Sequence, residues 1–190
     1  MKPCDLTLGA CPLSTPYGRI ENAYVLDGSN DLLRVESAPA FEQSSAFTIT
    51  AWVFGDAGSV GGCVLNKGFG GADNSWQACI DSNGMLKFHS VGAGGFHTQT
   101  AGILTVERWY HVALWWNGST KTTYVDGMVA ATISNISIIF DHSPITIGGD
   151  IDDGTLVLPF KGRVDDVQIY DRALTGDELR ALAAGGSPRG

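Results

Sequence analysis

From Ala23 onward the chain alternates between short apolar runs and compact polar turns. Tyr24-Val25-Leu26 gives way to Asp27-Gly28-Ser29-Asn30-Asp31 and resumes as Leu32-Leu33-Arg34-Val35. Phe47 to Phe54 is β-branched and aromatic with a period of two, the pattern of a half-buried strand. Trp109 to Trp116 is apolar on both phases, which predicts a strand covered on both faces in a two-sheet stack. Ser82-Asn83-Gly84, Asn117-Gly118 and Asp126-Gly127 predict hairpin turns, because these residues tolerate the positive φ such turns need. One helix is legible near the end. Thr175 and Glu178 have capping-box spacing, Leu179, Leu182 and Ala183 form an apolar stripe, and Gly185-Gly186 ends it. About a dozen strands and one late helix predict an all-β antiparallel sandwich.

Composition narrows the function classes. The net charge of -8 and the absence of a Lys/Arg cluster argue against nucleic-acid binding. No segment approaches the ~20 apolar residues of a membrane span, and 44% apolar content excludes a disordered chain. Twenty-five glycines without a period fit many tight turns. Met1 is not followed by the apolar run of a signal peptide.

The cysteines are Cys4, Cys11, Cys63 and Cys79. Cys63 and Cys79 lie in apolar runs flanking a glycine-rich stretch, so a disulfide between paired strands and two buried thiols are both open. Cys4–Cys11 would close a small loop pinning the N-terminus. Either bridge needs an oxidising compartment.

Leu26-Asp27-Gly28-Ser29-Asn30-Asp31, Phe47 to Val53, Trp109 to Ala113 followed by Tyr124-Val125-Asp126-Gly127, and Phe160 to Leu174 occur in an order that resembles the laminin G-like jelly roll of the concanavalin A-like lectin/glucanase superfamily. The resemblance implies a jelly-roll domain over residues 21–186, preceded by an arm (1–20) and followed by a short tail (187–190). Members of that superfamily bind glycans, proteins or steroids, act as enzymes, or serve as structural parts. The glucanase branch works with a Glu-x-Asp-x-Glu pattern, and none of Glu21, Glu36, Glu42, Glu107 and Glu178 stands in one. His89, His97, His111 and His142 have no nucleophile elbow beside them, and His111, in a doubly covered strand, reads as a hydrogen-bonded structural residue; His97 and His142 read as loop residues. The expectation is a non-catalytic module.

The resemblance also implies a structural calcium joining the early turn to the last long strand. Asp27, the Gly28 carbonyl, Asn30 and Asp165 are the expected ligands, since Asp165 shares strand phase with Val167 and Ile169 and would point inward with them. The alternative is that Asp27 caps its own turn and Asp165 accepts backbone N–H groups. Asp150, Asp152 and Asp153 form a second acidic group that would hold a rim cation or simply be solvated. Trp76, Phe69 and Phe96 are the aromatic candidates for stacking on a sugar ring, with partial burial against the sandwich edge the alternative for each. The expected role is a surface recognition module, extracellular or on the cell surface, that binds carbohydrate or a protein ligand in adhesion. The rival is a virion-surface component, a capsid decoration or fibre protein, with capsid or self-assembly partners.

Overall fold

The computed structural model describes residues 11–42, 45–59, 61–68 and 75–186. Its strands are β1 (Leu13–Thr15), β2 (Ala23–Asp27), β3 (Leu33–Val35), β4 (Phe47–Gly55), β5 (Gly62–Lys67), β6 (Trp76–Ile80), β7 (Met85–Gly92) and β8 (Gly95–Ile103). They continue as β9 (Trp109–Trp116), β10 (Thr120–Val125), β11 (Met128–Ser134), β12 (Ile145–Ile147), β13 (Asp150–Asp152), β14 (Thr155–Val157) and β15 (Lys161–Tyr170), before helix α1 (Gly176–Ala183). Two antiparallel sheets stack face to face: seven strands in the order β1-β2-β15-β4-β9-β10-β11, and six in the order β3-β12-β5-β6-β7-β8. The hairpin β13-β14 stands apart.

Alternation decides what lies between the sheets. Phe47, Ile49, Ala51 and Val53 of β4 meet Trp76, Ala78, Leu86 and Phe88 of the other sheet in one core. Two lysines are buried in the stack. Lys121 Nζ donates to Phe88 O (2.9 Å), Ser90 Oγ (3.0 Å) and His97 O (3.2 Å), and so ties β10 to the opposite sheet. Burial pushes its ammonium down to about 8. Lys67 is similarly satisfied by the carbonyls of Ser143 (2.7 Å) and Asp141 (2.9 Å).

The local signals hold. Asp126 and Gly127 turn at φ 50 and 74, and Gly118 at φ 97. Thr175 and Glu178 form the reciprocal capping box. Cys63 and Cys79 face each other across β5 and β6 and are bonded. Cys11 is not free, while Cys4 lies outside the described residues.

Candidate ligand-binding face

The register of the six-stranded sheet brings one residue from every strand into a single row. Arg34 pairs with Thr146, Thr146 with Asn66, Asn66 with Gln77, Gln77 with His89, and His89 with Thr98. Directly paired residues share a face, so these six polar side chains cross the outer surface of the sheet together. Its two ends differ. At the β5-β6 end, Asp150 of the β13-β14 hairpin lies over the row and accepts Asn66 Nδ2 (2.7 Å) on one oxygen and Gln77 Nε2 (2.7 Å) on the other. That carboxylate and both amides are buried.

At the β7-β8 end the row is open. Phe96 is 55% exposed, and its ring stacks on His89 with centroids 5.2 Å apart and planes 21° apart. His89 Nδ1 lies 2.8 Å from Thr98 Oγ1. Burial, reinforced by the Lys121 and Lys87 charges, holds the His89 imidazolium down at about 4, so the ring is neutral at physiological pH. Lys87 is paired with Asp81 at 3.0 Å. The result is an uncharged aromatic platform with a hydroxyl on one side and a buried amide row behind it. A sugar ring needs such a surface: a flat apolar area to stack on and fixed polar groups alongside.

The outer face of the seven-stranded sheet is covered instead. Leu174, Leu179 and Leu182 pack helix α1 onto Ala113, Trp115, Tyr124 and Tyr170. On the other side the segment before β2 folds over Trp52, whose ring lies 4.6 Å below the Arg19 guanidinium. Asp165 fastens this segment, its Oδ2 accepting the N–H groups of Arg19 (2.7 Å) and Ile20 (2.8 Å).

Several sequence-based expectations are corrected by these positions. The expected phase for Asp165 fails at a bulge: Asp165 pairs with Trp52 and Gln168 with Thr50, so the chain gains a residue between them, with Asp166 at φ 48. Val167 and Ile169 pack on the core while Asp165 faces outward with Trp52. Its buried charge is met by backbone donors. Nor does Asp165 reach the early turn. Lys161 pairs with Asp27, and Asp165 lies four residues further along β15, about 13 Å away along the strand. One ion therefore cannot be shared by Asp165 and the set Asp27, Gly28 and Asn30. Within the turn, Asp27 Oδ1 accepts Ser29 N–H (2.7 Å) and Asn30 N–H (3.1 Å), and Asp31 Oδ2 accepts Asp27 N–H (2.9 Å). Burial raises the Asp27 carboxyl, but those N–H bonds outweigh it and leave it below its ordinary value. The Asp31 carboxyl is raised by burial against the Asp27 N–H bond, with the Asp27 charge adding to the rise.

The second acidic group is also divided. Asp150 turns inward to its two amides, whereas Asp153, at φ 47, belongs to the hairpin turn after Asp152. A rim site built on all three is not assembled. Among the described residues no group of three or more His, Cys, Asp or Glu is placed to hold a metal.

Of the aromatic candidates, Phe96 stands where a ligand can reach it. Trp76 is 2% exposed and sits on the inward phase of β6, 6.1 Å from Phe47 between ring centroids, so it is core. Phe69 lies outside the described residues. His97 is a strand residue of β8, and His142 pairs with Glu42 at 2.6 Å. His111 is buried as expected, but among the described residues its Nδ1 has no hydrogen-bond partner, and the same is true of Trp52 Nε1 and Thr50 Oγ1 beside it. Sequence reasoning missed Asn66, Gln77, His89 and Thr98 as one surface. The period-two pattern Lys87-Phe88-His89 and Phe96-His97-Thr98 carried half of that signal.

Comparison with known proteins agrees with this architecture. A rat relative, usherin, is 25% identical over 182 residues, spanning 91% of this chain but only 3% of usherin's length. The binding domain of Paraclostridial Mosquitocidal Protein 1 superposes with a TM-score of 0.72 at 17% identity, over 94% of this chain and 46% of that one. Domain 4 of an extracellular arabinanase from Geobacillus stearothermophilus, in complex with arabinotriose, superposes with a TM-score of 0.69 at 20% identity, over 92% and 82% of the two chains. At these identities the structural likeness speaks for the fold. The laminin G-type model of the concanavalin A-like lectin/glucanases superfamily matches residues 27–180, and the chain belongs to that family.

Proposed function

We propose that this protein is a non-catalytic recognition module that binds neutral oligosaccharides on the outer face of the six-stranded sheet, in an extracellular or cell-surface setting. The observation that carries the reading is the half-exposed Phe96 ring stacked on a neutral His89, with Thr98 beside it, on a sheet face away from the helix. A net charge of -8 disfavours acidic glycans, and Lys87 is already paired. The arabinanase domain solved with arabinotriose lends support, since a domain of the same architecture takes a neutral oligosaccharide. The Cys63–Cys79 bridge fits an oxidising compartment.

Calcium belongs to the proposal only at the turn, where Asp27 and Asp31 repel each other and a cation near Gly28 and Asn30 would relieve the repulsion. The test of the main reading is a glycan array followed by titration calorimetry on the strongest neutral hit. Binding that survives Phe96→Ala unchanged, or hits confined to acidic glycans, would overturn it.

A further inference from the structure

We propose that the cleft at the other end of the sandwich is a second binding site, which takes one compact, uncharged, apolar ligand rather than a sugar. It lies beside Ile103, seven residues along β8 from Phe96, about 23 Å from the aromatic platform. Its volume is about 330 Å³, within the range of small-molecule sites. Val53, Ile80, Ile103, Leu104, Val106 and Phe160 supply its apolar wall, drawn from both sheets and the loops between them.

Asp81, Tyr110 and Thr105 at this cleft are each already hydrogen-bonded. Asp81 Oδ1 accepts the N–H groups of Asn83 (2.9 Å) and Met85 (3.0 Å), and its other oxygen pairs with Lys87 at 3.0 Å. The Tyr110 hydroxyl lies 2.8 Å from Thr105 Oγ1 and accepts Thr105 N–H at 3.2 Å. Ser82 and Asn83 are exposed turn residues at the rim. A sugar seated against the apolar wall would find only the side chains of Ser59, Ser82 and Asn83 for its hydroxyls, whereas an apolar ring system buries no hydroxyl of its own. Asp81 and Glu107 nearby, in a chain of charge -8, disfavour an anion.

The cleft is also held open before any ligand arrives. Leu104 N–H bonds Gly84 O (2.8 Å) and Glu107 N–H bonds Gly55 O (2.7 Å), so the loop from 104 to 107 is pinned to a strand or turn of each sheet. Glu107 is kept at φ 61, a conformation strained for a residue with a Cβ. At the mouth, Ile103 and Val106 are 60% and 45% exposed. A ligand entering between them would cover apolar surface that the fold leaves in water.

Titration of the full chain with the neutral fluorophore N-phenyl-1-naphthylamine tests the site. We expect saturable enhancement at one site per chain. The double variant Ile103→Phe/Val106→Phe, which fills the mouth from exposed positions, should weaken binding at least tenfold, and Val106→Arg should weaken it without moving the melting temperature. Phe96→Ala should leave the titration unchanged, which separates this site from the glycan reading. No saturable enhancement in the unaltered protein, or equal enhancement in the filled and Val106→Arg variants, would overturn the assignment.

Discussion

On the seven-stranded sheet the outer residues Thr50, Trp52 and His111 lie buried between the arm and the strands that carry helix α1. On the six-stranded sheet, His89, Thr98 and Phe96 occupy the corresponding outer positions and meet solvent. Both rows mix an aromatic ring, an imidazole and a threonine hydroxyl. What differs is the cover. Among the described residues, Trp52 Nε1, His111 Nδ1 and Thr50 Oγ1 of the covered row have no hydrogen-bond partner. The open row has its imidazole bonded and its aromatic face free. If recognition resides on the open face as proposed, stability and ligand binding should respond to mutation independently.

The largest expected effect is on the covered side. Leu179→Ala, at a fully buried position of the helix stripe, should cost about 3 kcal/mol in chemical denaturation while oligosaccharide affinity stays within twofold. A joint loss of stability and affinity would break the division between the faces. Acid comes next. Burial holds His111 down at about 4, with Asp126 and Asp166 pulling weakly the other way. The unfolded chain then takes up the proton first, near its ordinary pKa of about 6.5. Stability is complete above that value and should fall by roughly 2 to 3 kcal/mol as pH drops from 6.5 through 4. His89 titrates in the same direction. Denaturation of His111→Gln across this interval should show a visibly shallower decline, and an unchanged slope would place the sensitivity elsewhere.

Asp165→Ala removes the acceptor of two backbone N–H groups and should cost about 2 kcal/mol. Proteolysis should then begin in the segment before β2. Phe96→Ala should do the reverse of these three: about tenfold weaker glycan binding, with stability changed by less than 0.5 kcal/mol. The smallest effect is expected from calcium at the Asp27 turn, where chelator should lower the melting temperature by only about 1–3 °C. Asp27→Asn should abolish that response, and no shift in metal-free buffer removes calcium from the proposal.

Much of the fold could be read from residues close together in sequence. The Asp126-Gly127 turn, the Thr175–Glu178 box and the alternation of β4 each depend on interactions within a few residues, where backbone sterics and local hydrogen bonds dominate. Cys63–Cys79 was legible as a possibility because one hairpin-like pairing brings the two together. Asp165 was misread because strand phase was counted through an unseen bulge at Asp166, which turns the side chain to the opposite face. Trp76 stood among the stacking candidates because an aromatic at the start of a strand can face either way, and only the register shows that its phase points inward.

The 190 residues in isolation determined an antiparallel sandwich, its turns, its capped helix and its family, because period-two patterning, positive-φ turn residues and capping chemistry act over a few positions. The polar row proposed as the binding face was decided by the tertiary structure. Arg34, Asn66, Gln77, His89, Thr98 and Thr146 come from chain segments far apart, and only the register of six strands sets them in one row. Whether such a row is buried or open depends on what lies over it. Residues 18–22 and the helix lie on the seven-stranded sheet because Asp165 and Leu174, Leu179 and Leu182 hold them there; the helix stripe shows in the chain, but the sheet it packs on does not.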